Sequence, residues 1–276
     1  MHNYSTLRHD PIPDPDDKPP ALLVVSGTTG RDGYHHYYGE LLDQDRESRI
    51  PAKKRNLHPL KGGFAPFDDV AGDMLDKFDR LHEATDSRFY VVGHSLGGAL
   101  ATLLALERPD AVEGVACLAG AQEGVHPKAI MAWALKAGFY NRKKELTRYA
   151  DDIHPESDFI QKLKTRMAQD WSEDIPLTLY SAPPLADILV SAPQGLRAQL
   201  PEGQTPERLV VTPNVNIFGK KTLDLVRRFP AMPQDVEILH SKVPAGHINM
   251  PRLDAVKNHV NQKRLRGYKS SGQMMS

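Results

Sequence analysis

Residues 88–106 read RFYVVGHSLGGALATLLAL. The apolar, aromatic-bearing run at 89–92 has the composition of a strand. Gly93-His94-Ser95-Leu96-Gly97 is a G-x-S-x-G turn, and residues 98–106 are good helix formers. Strand, tight turn and helix in that order are the setting in which the serine of this pattern becomes a nucleophile. The turn calls for glycine because the serine backbone is strained and has little room around it. Gly93 and Gly97 flank Ser95 and let strand and helix approach closely. Gly98, Ala99, Ala101, Thr102 and Ala105 keep the helix slim where it lies on a sheet. The hydroxyl of Ser95 is then expected above the sheet edge, at the positive end of a helix dipole.

The pattern repeats outward from this point. Residues 21–26 and 112–118 are short apolar runs, and 177–180, 209–212 and 236–239 are further candidate strands. Residues 67–82 place Phe67, Val70, Ala71, Met74, Leu75, Phe78 and Leu81 at spacings of three and four. Asp68, Asp69, Asp73, Asp76 and Asp79 lie on the other side, which predicts an amphipathic helix. Phe159, Ile160, Leu163 and Met167 mark another helix, residues 221–229 a third, and Leu253, Val256 and Val260 a last one. Strands alternating with helices predict an α/β fold built on a mostly parallel sheet. One domain is expected over residues 21–262, with a helical cap insertion at roughly 122–175. A proline- and aspartate-rich arm precedes it (1–20), and a basic, polar tail follows (263–276), expected to be disordered.

Lys plus Arg and Asp plus Glu both number 35 in the 276 residues, so the formal net charge is zero. That balance argues against a dedicated nucleic-acid binder. The single cysteine, Cys117, has no internal disulfide partner and sits in an apolar run, where it reads as a buried strand residue. No stretch approaches the roughly 18 apolar residues of a membrane span. The N-terminus lacks the basic-then-apolar form of a signal peptide. The default expectation is a cytoplasmic protein, with signal-independent secretion as the other route.

A serine hydroxyl needs a base to take its proton and a carboxylate to orient that base. In folds with this elbow the chain order is serine, acid, histidine. Among twelve histidines, His247 is the favoured base. It follows the last strand in a Pro/Gly loop (Val243-Pro244-Ala245-Gly246-His247), which can project an imidazole over the carboxyl end of the sheet. His240, on that strand, is the alternative, and His94 reads as supporting. Asp187, in an apolar setting after the strand at 177–180, is the favoured acid, since a buried aspartate needs a charged or donor partner. The strand at 209–212 lies nearer to His247 in sequence. It is followed by Asn214 and Asn216, with no carboxylate before Asp224. If that strand carries the acid, Asn216 stands at the acid position or Asp224 is recruited; Asp151 and Asp152 are weaker candidates. The oxyanion of acyl transfer needs fixed N–H donors, and Leu96 and Thr28 are expected to supply them.

These residues together resemble the class 3 lipases, an α/β-hydrolase family. The family's oxyanion strand and loop resemble Val24-Val25-Ser26-Gly27-Thr28-Thr29. Its H-x-G-F segment is similar to His58–Phe64 (HPLKGGF), and its elbow to the intact GHSLGGALA at Gly93–Ala101. Its F-G-x-P segment has a degraded counterpart at 118–124, and its acid-bearing segment is similar to Asp187-Ile188-Leu189-Val190. Departures are Ser26 in place of the usual arginine and the missing proline after residue 118. The resemblance implies an α/β-hydrolase fold and a serine carboxylic-ester hydrolase of lipase, phospholipase or esterase type. It acts through Ser95, Asp187 and His247 with no metal or organic cofactor. The implied partner is a lipid or other acyl ester, with transient contact with a membrane surface through a lid at 31–42 that includes Tyr34, Tyr37 and Tyr38. Two alternatives stand beside it: a catalytically impaired hydrolase fold that binds a lipid or protein, and a thioesterase or peptidase on the same fold.

Overall fold

A computed structural model describes residues 18–27, 38–57, 65–126, 128–130, 143–183, 190, 192–213, 228, 232–243, 245–246 and 249–266. The elements in chain order are β1 (Ala21–Val25), α1 (Gly39–Leu42), β2 (Asn56–Leu57), α2 (Phe67–Thr85), β3 (Phe89–His94), α3 (Leu96–Glu107) and β4 (Val112–Leu118). They continue with α4 (Lys143–Asp152), α5 (Asp158–Asp170), β5 (Leu177–Ser181), α6 (Ala192–Gly195), β6 (Glu207–Pro213), β7 (Val236–Ser241) and α7 (Asp254–Arg264). Short 3-10 turns at Ala52–Arg55, Pro109–Ala111 and Met250–Arg252 link some of them.

The seven strands form one sheet in the order β2-β1-β3-β4-β5-β6-β7, and every described pairing is parallel. A parallel sheet needs crossover helices on its faces, so its strands are apolar on both sides. Alternation within each strand divides the core accordingly. Leu23, Val25, Val91, Val115, Cys117 and Leu179 pack under α2, α3 and α5. Leu22, Val24, Val92, Ala116, Leu118 and Tyr180 pack under α1 and α7. The helix α2 is amphipathic as its sequence predicts. It runs three residues beyond the periodic stretch, to Thr85, and is closed by Asp86 in the left-handed region (φ 46°), whose N–H returns to the carbonyl of His82. In the segment between β4 and β5, α5 opens with a serine cap, Ser157 accepting from the N–H of Ile160. It buries Ile160, Leu163 and Met167 and packs on α3.

One buried ion cluster ties the chain ends together. Strand β2 reaches only Val24 and Val25 of β1. Farther back along β1, side chains take the place of a neighbouring strand. The N–H of Leu22 donates to the Asp45 carboxylate (2.8 Å), and Arg55 Nη1 donates to the carbonyl of Leu22 (3.2 Å). Asp45 also pairs with Arg55 at 2.7 Å and with Arg264, from the end of α7, at 2.9 Å; all three side chains are buried. Two guanidiniums share one carboxylate, and the carbonyls of Ile50, Leu42 and Pro20 and the side-chain oxygen of Asn261 accept from other N–H groups of the pair. The sequence places the start of a disordered tail at Lys263, but Lys263 and Arg264 complete α7. Lys263 pairs with Glu207, and Arg264 is drawn inside by Asp45. A charge pattern that reads as solvated is here half of a buried ion pair.

Breaking a buried ion pair from one side leaves uncompensated charge, at a cost of about 3–5 kcal/mol. Asp45→Ala strands two buried guanidiniums. It is expected to lower the unfolding free energy by about that amount in urea titration, whereas Asp73→Ala, which removes the exposed i,i+4 pair with Lys77, changes it by less than about 0.5 kcal/mol.

Candidate active site

Strand β3 runs into Ser95 and α3 starts at the next residue. Ser95 has φ 58° and ψ −125°, a conformation that non-glycine residues rarely adopt and that costs on the order of 1–3 kcal/mol. The surroundings hold it there. The Ser95 N–H donates to the carbonyl of Leu118 at the end of β4 (3.1 Å), and the Ser95 carbonyl accepts from the N–H groups of Gly98 and Ala121 (2.9 Å each). The glycines around it are fixed by contact. A methyl group at position 93 would overlap the carbonyl oxygen of Gly97, and one at position 97 would overlap the carbonyl oxygen of Val25. A methyl at 98 would lie 2.6 Å from the Cα of Gly120. Helix α3 buries nine of its twelve residues, as expected of a helix apolar on every side.

Around the serine stand the end of β1 and the start of α3. Gly27 lies against it, so close that a methyl there would be 3.0 Å from Ser95 Cβ and 3.4 Å from Oγ. Leu96 opens α3 directly after Ser95, so its N–H has no acceptor within the helix. His94 is buried, and its Nδ1 is 2.8 Å from the hydroxyl of Tyr38. The sequence places Tyr38 among the aromatics of a lid. In the fold it is 4% exposed and packs with Leu22, Val24 and Leu118. The signal that finds this role is the spatial contact, since 56 residues separate the two partners.

Thr28, Asp187 and His247 lie outside the described residues, as do Asn214, Asn216, Asp224, Tyr34 and Tyr37. Strand order still locates the ends of the chain from which they depart. Strand β5 is two positions from β3, β6 three and β7 four. At about 4.8 Å per step those ends stand roughly 10, 14 and 19 Å from the elbow. Of the weaker candidates, Asp152 accepts from the N–H of Phe67 (3.2 Å) at the start of α2, Asp151 is exposed, and His240 is exposed on the edge strand β7. Cys117 is fully buried, and burial pushes its thiol up to about 12, so it does not supply a thiolate. Among the described residues no cluster of His, Cys, Asp and Glu is arranged to hold a metal, and no helix is long and apolar enough to cross a membrane. A cavity of about 1100 Å³ opens at the opposite, amino end of the sheet, lined in part by Ala21, Asn56, Arg88 and Glu113, away from the elbow.

A parallel sheet with helices on both faces and a strained serine between β3 and α3 is the α/β-hydrolase fold, and this chain has it. The family model for serine aminopeptidase, S33, matches residues 55–186, just under half of the chain and spanning the elbow. A protein of Klebsiella pneumoniae subsp. pneumoniae named "Putative carbamate hydrolase RutD" is 29% identical over 117 residues, 41% of this chain and 42% of that protein. The match thus spans less than half the length of that relative. NosK from Streptomyces actuosus is 18% identical, with a TM-score of 0.40 over 91% of this chain and 99% of its own. The lipase BlEst2 of Bacillus licheniformis is 12% identical, with a TM-score of 0.48 over 71% of this chain and 48% of its own.

The two kinds of glycine make opposite predictions. Gly97→Ala forces a methyl into backbone and is expected to destabilise by more than about 4 kcal/mol, or to prevent recovery of folded protein. Gly72, in the exposed interior of α2, has open space where a methyl would stand, with no neighbouring atom within 4 Å. Gly72→Ala is expected to raise stability by about 0.5–1 kcal/mol, read as a higher urea midpoint.

Proposed function

We propose that this chain is a serine carboxylic-ester hydrolase acting on lipid-like acyl esters through an acyl-enzyme. The observation that carries the reading is the backbone of Ser95. A serine is kept at φ 58° by bonds from β4, by Gly27 and by the first turn of a helix, in a place where glycine would be easier. Such strain persists where the site uses it.

In this reading Ser95 Oγ attacks the acyl carbon while His247 takes its proton. The oxyanion accepts from the N–H groups of Leu96 and Thr28. Collapse of the tetrahedral intermediate breaks the ester bond, and the alcohol leaves with the proton from the imidazolium. Water, deprotonated by His247, then attacks the acyl-enzyme and releases the acid. Asp187 orients the imidazole and stabilises its charged form. No step requires a metal or organic cofactor. The class 3 lipase resemblance supports the elbow chemistry and the ester substrate. The match to the serine aminopeptidase model supports a second substrate class, peptide amides, with the same nucleophile.

A fluorophosphonate probe is expected to label the wild-type protein. Ser95→Ala is expected to abolish labelling and to lower kcat on p-nitrophenyl esters by roughly 10⁶-fold, and His247→Ala by a comparable amount. Labelling that survives Ser95→Ala removes the serine from its role. Medium-chain p-nitrophenyl esters are expected to turn over faster than aminoacyl p-nitroanilides; the reverse order makes the protein a peptidase. For the acid, Asp187→Asn is expected to reduce kcat by about 10⁴-fold and Asp224→Asn by less than threefold; exchanged values assign the role to Asp224.

A further inference from the structure

We infer that Tyr38 is a positioning residue for the nucleophile, holding the elbow through His94. The inference rests on the serine-hydrolase reading and adds to it a residue that neither the elbow pattern nor the proposed triad contains.

The argument starts from His94, the last residue of β3 and the neighbour of Ser95 in the chain. Its ring is buried, and a buried ring nitrogen needs a partner. Tyr38 supplies one: its hydroxyl lies 2.8 Å from Nδ1, and the two rings meet edge-on with centroids 5.8 Å apart and planes at 63°. The phenol O–H can donate to Nδ1, or Nδ1–H can donate to the phenol oxygen; either way the hydroxyl and the ring are joined by one hydrogen bond whose direction follows the tautomer of His94.

Tyr38 is itself firmly held. It directly precedes α1, whose Leu41 and Leu42 are buried under β1. Glu40 of the same helix pairs with Lys257 of α7 at 2.5 Å. The hydroxyl is therefore fixed by the helical layer on the face of the sheet opposite α3. The serine is pinned by Gly27, two residues after β1, and by backbone bonds from β4 and the chain that follows it. Tyr38 adds a hold from the other layer, on the residue whose carbonyl begins the strained turn. Gly27 and Tyr38 also stand at the two ends of the segment that contains Thr28, and they touch consecutive residues, Ser95 and His94. Tyr38 contacts the ring of His94 and acts on the reaction through it. A misplacement of the nucleophile by a fraction of an ångström affects the chemical step more than substrate binding.

The test compares five full-length proteins: wild type, Tyr38→Phe, His94→Asn, His94→Leu and the Tyr38→Phe, His94→Leu double variant. Asparagine can place its amide oxygen or nitrogen near the position of Nδ1 and keep a hydrogen-bond partner for the phenol, whereas leucine cannot. Each is assayed for fluorophosphonate labelling rate, for kcat and KM on a short p-nitrophenyl ester, and for Tm. Tyr38→Phe is expected to lower kcat and labelling rate at least about tenfold, with KM within twofold. His94→Leu is expected to show the same loss, and His94→Asn to be at least about fivefold more active than His94→Leu. In the Tyr38→Phe, His94→Leu double variant the two losses are expected not to add, because one interaction is removed twice. Wild-type kcat in Tyr38→Phe overturns the inference, as do losses that multiply in the double variant. If Tyr38→Phe does not fold, equal activity of His94→Asn and His94→Leu overturns it. A wild type that neither labels nor turns over ester overturns the serine-hydrolase reading instead, a result distinct from an active wild type indifferent to Tyr38.

Discussion

The absence of a side chain at position 97 governs how this molecule is assembled. The Cα of Gly97 sits against the carbonyl of Val25, so the first turn of α3 rests directly on the end of β1. Gly93 and Gly98 allow the same approach to the elbow itself and to the turn after β4. With three backbones this close, the chain between β3 and α3 has little choice of path. Ser95 takes the strained conformation because its neighbours leave no other. The cost, on the order of 1–3 kcal/mol, is spread over hydrogen bonds to Leu118, Gly98 and Ala121 and over the packing of a largely apolar helix. Strain of that size at one residue is tolerable only when the surrounding packing contributes much more.

The two ends of the sheet are built differently. At the carboxyl end the contacts are backbone against backbone and leave Ser95 beside Gly27 and the start of α3. At the amino end Asp45 with Arg55 and Arg264 ties the loop after α1, the start of β1 and the end of α7 into one buried cluster. This cluster substitutes for the missing length of β2 by giving Leu22 side-chain partners where a neighbouring strand would have offered backbone. Holding α7 in place also holds α1, through Lys257 and Glu40, and with it Tyr38. The helical layer that reaches the elbow through His94 is thus secured from the far end of the sheet.

Much of this is legible in the sequence. The runs at 112–118 and 177–180 and the amphipathic spacing from Phe67 report local burial, and they reappear as β4, β5 and α2. The glycines of the elbow are legible because the close approach they permit is a local requirement. What escapes is set by partners distant in the chain. Strand β2 is two residues long, one of them Asn56, and has no periodicity to read. Arg264 looks like part of a charged tail because its partner, Asp45, is 219 residues away. Tyr38 looks like one aromatic among several because the histidine it bonds lies on a strand 56 residues away. Local pattern records which face of an element is buried; it does not record which polar group waits there.

Sheet geometry also bears on the acid that the sequence leaves open. In the proposed triad, a histidine that follows β7 starts about 19 Å from a hydroxyl at the end of β3, with the ends of β6, β5 and β4 between them. Adjacency on the sheet therefore does not favour the acid of one strand over that of the other, even though β6 is the immediate neighbour of β7. Tether length does. Asp187 comes six residues after the last residue of β5, whereas the first carboxylate beyond β6, Asp224, comes eleven residues after it. A shorter tether loses less entropy when its carboxylate is fixed against an imidazole. It also departs from a strand end nearer the elbow, where the proton transfer has to occur. Both effects point the same way, toward Asp187 in the proposed role of orienting His247.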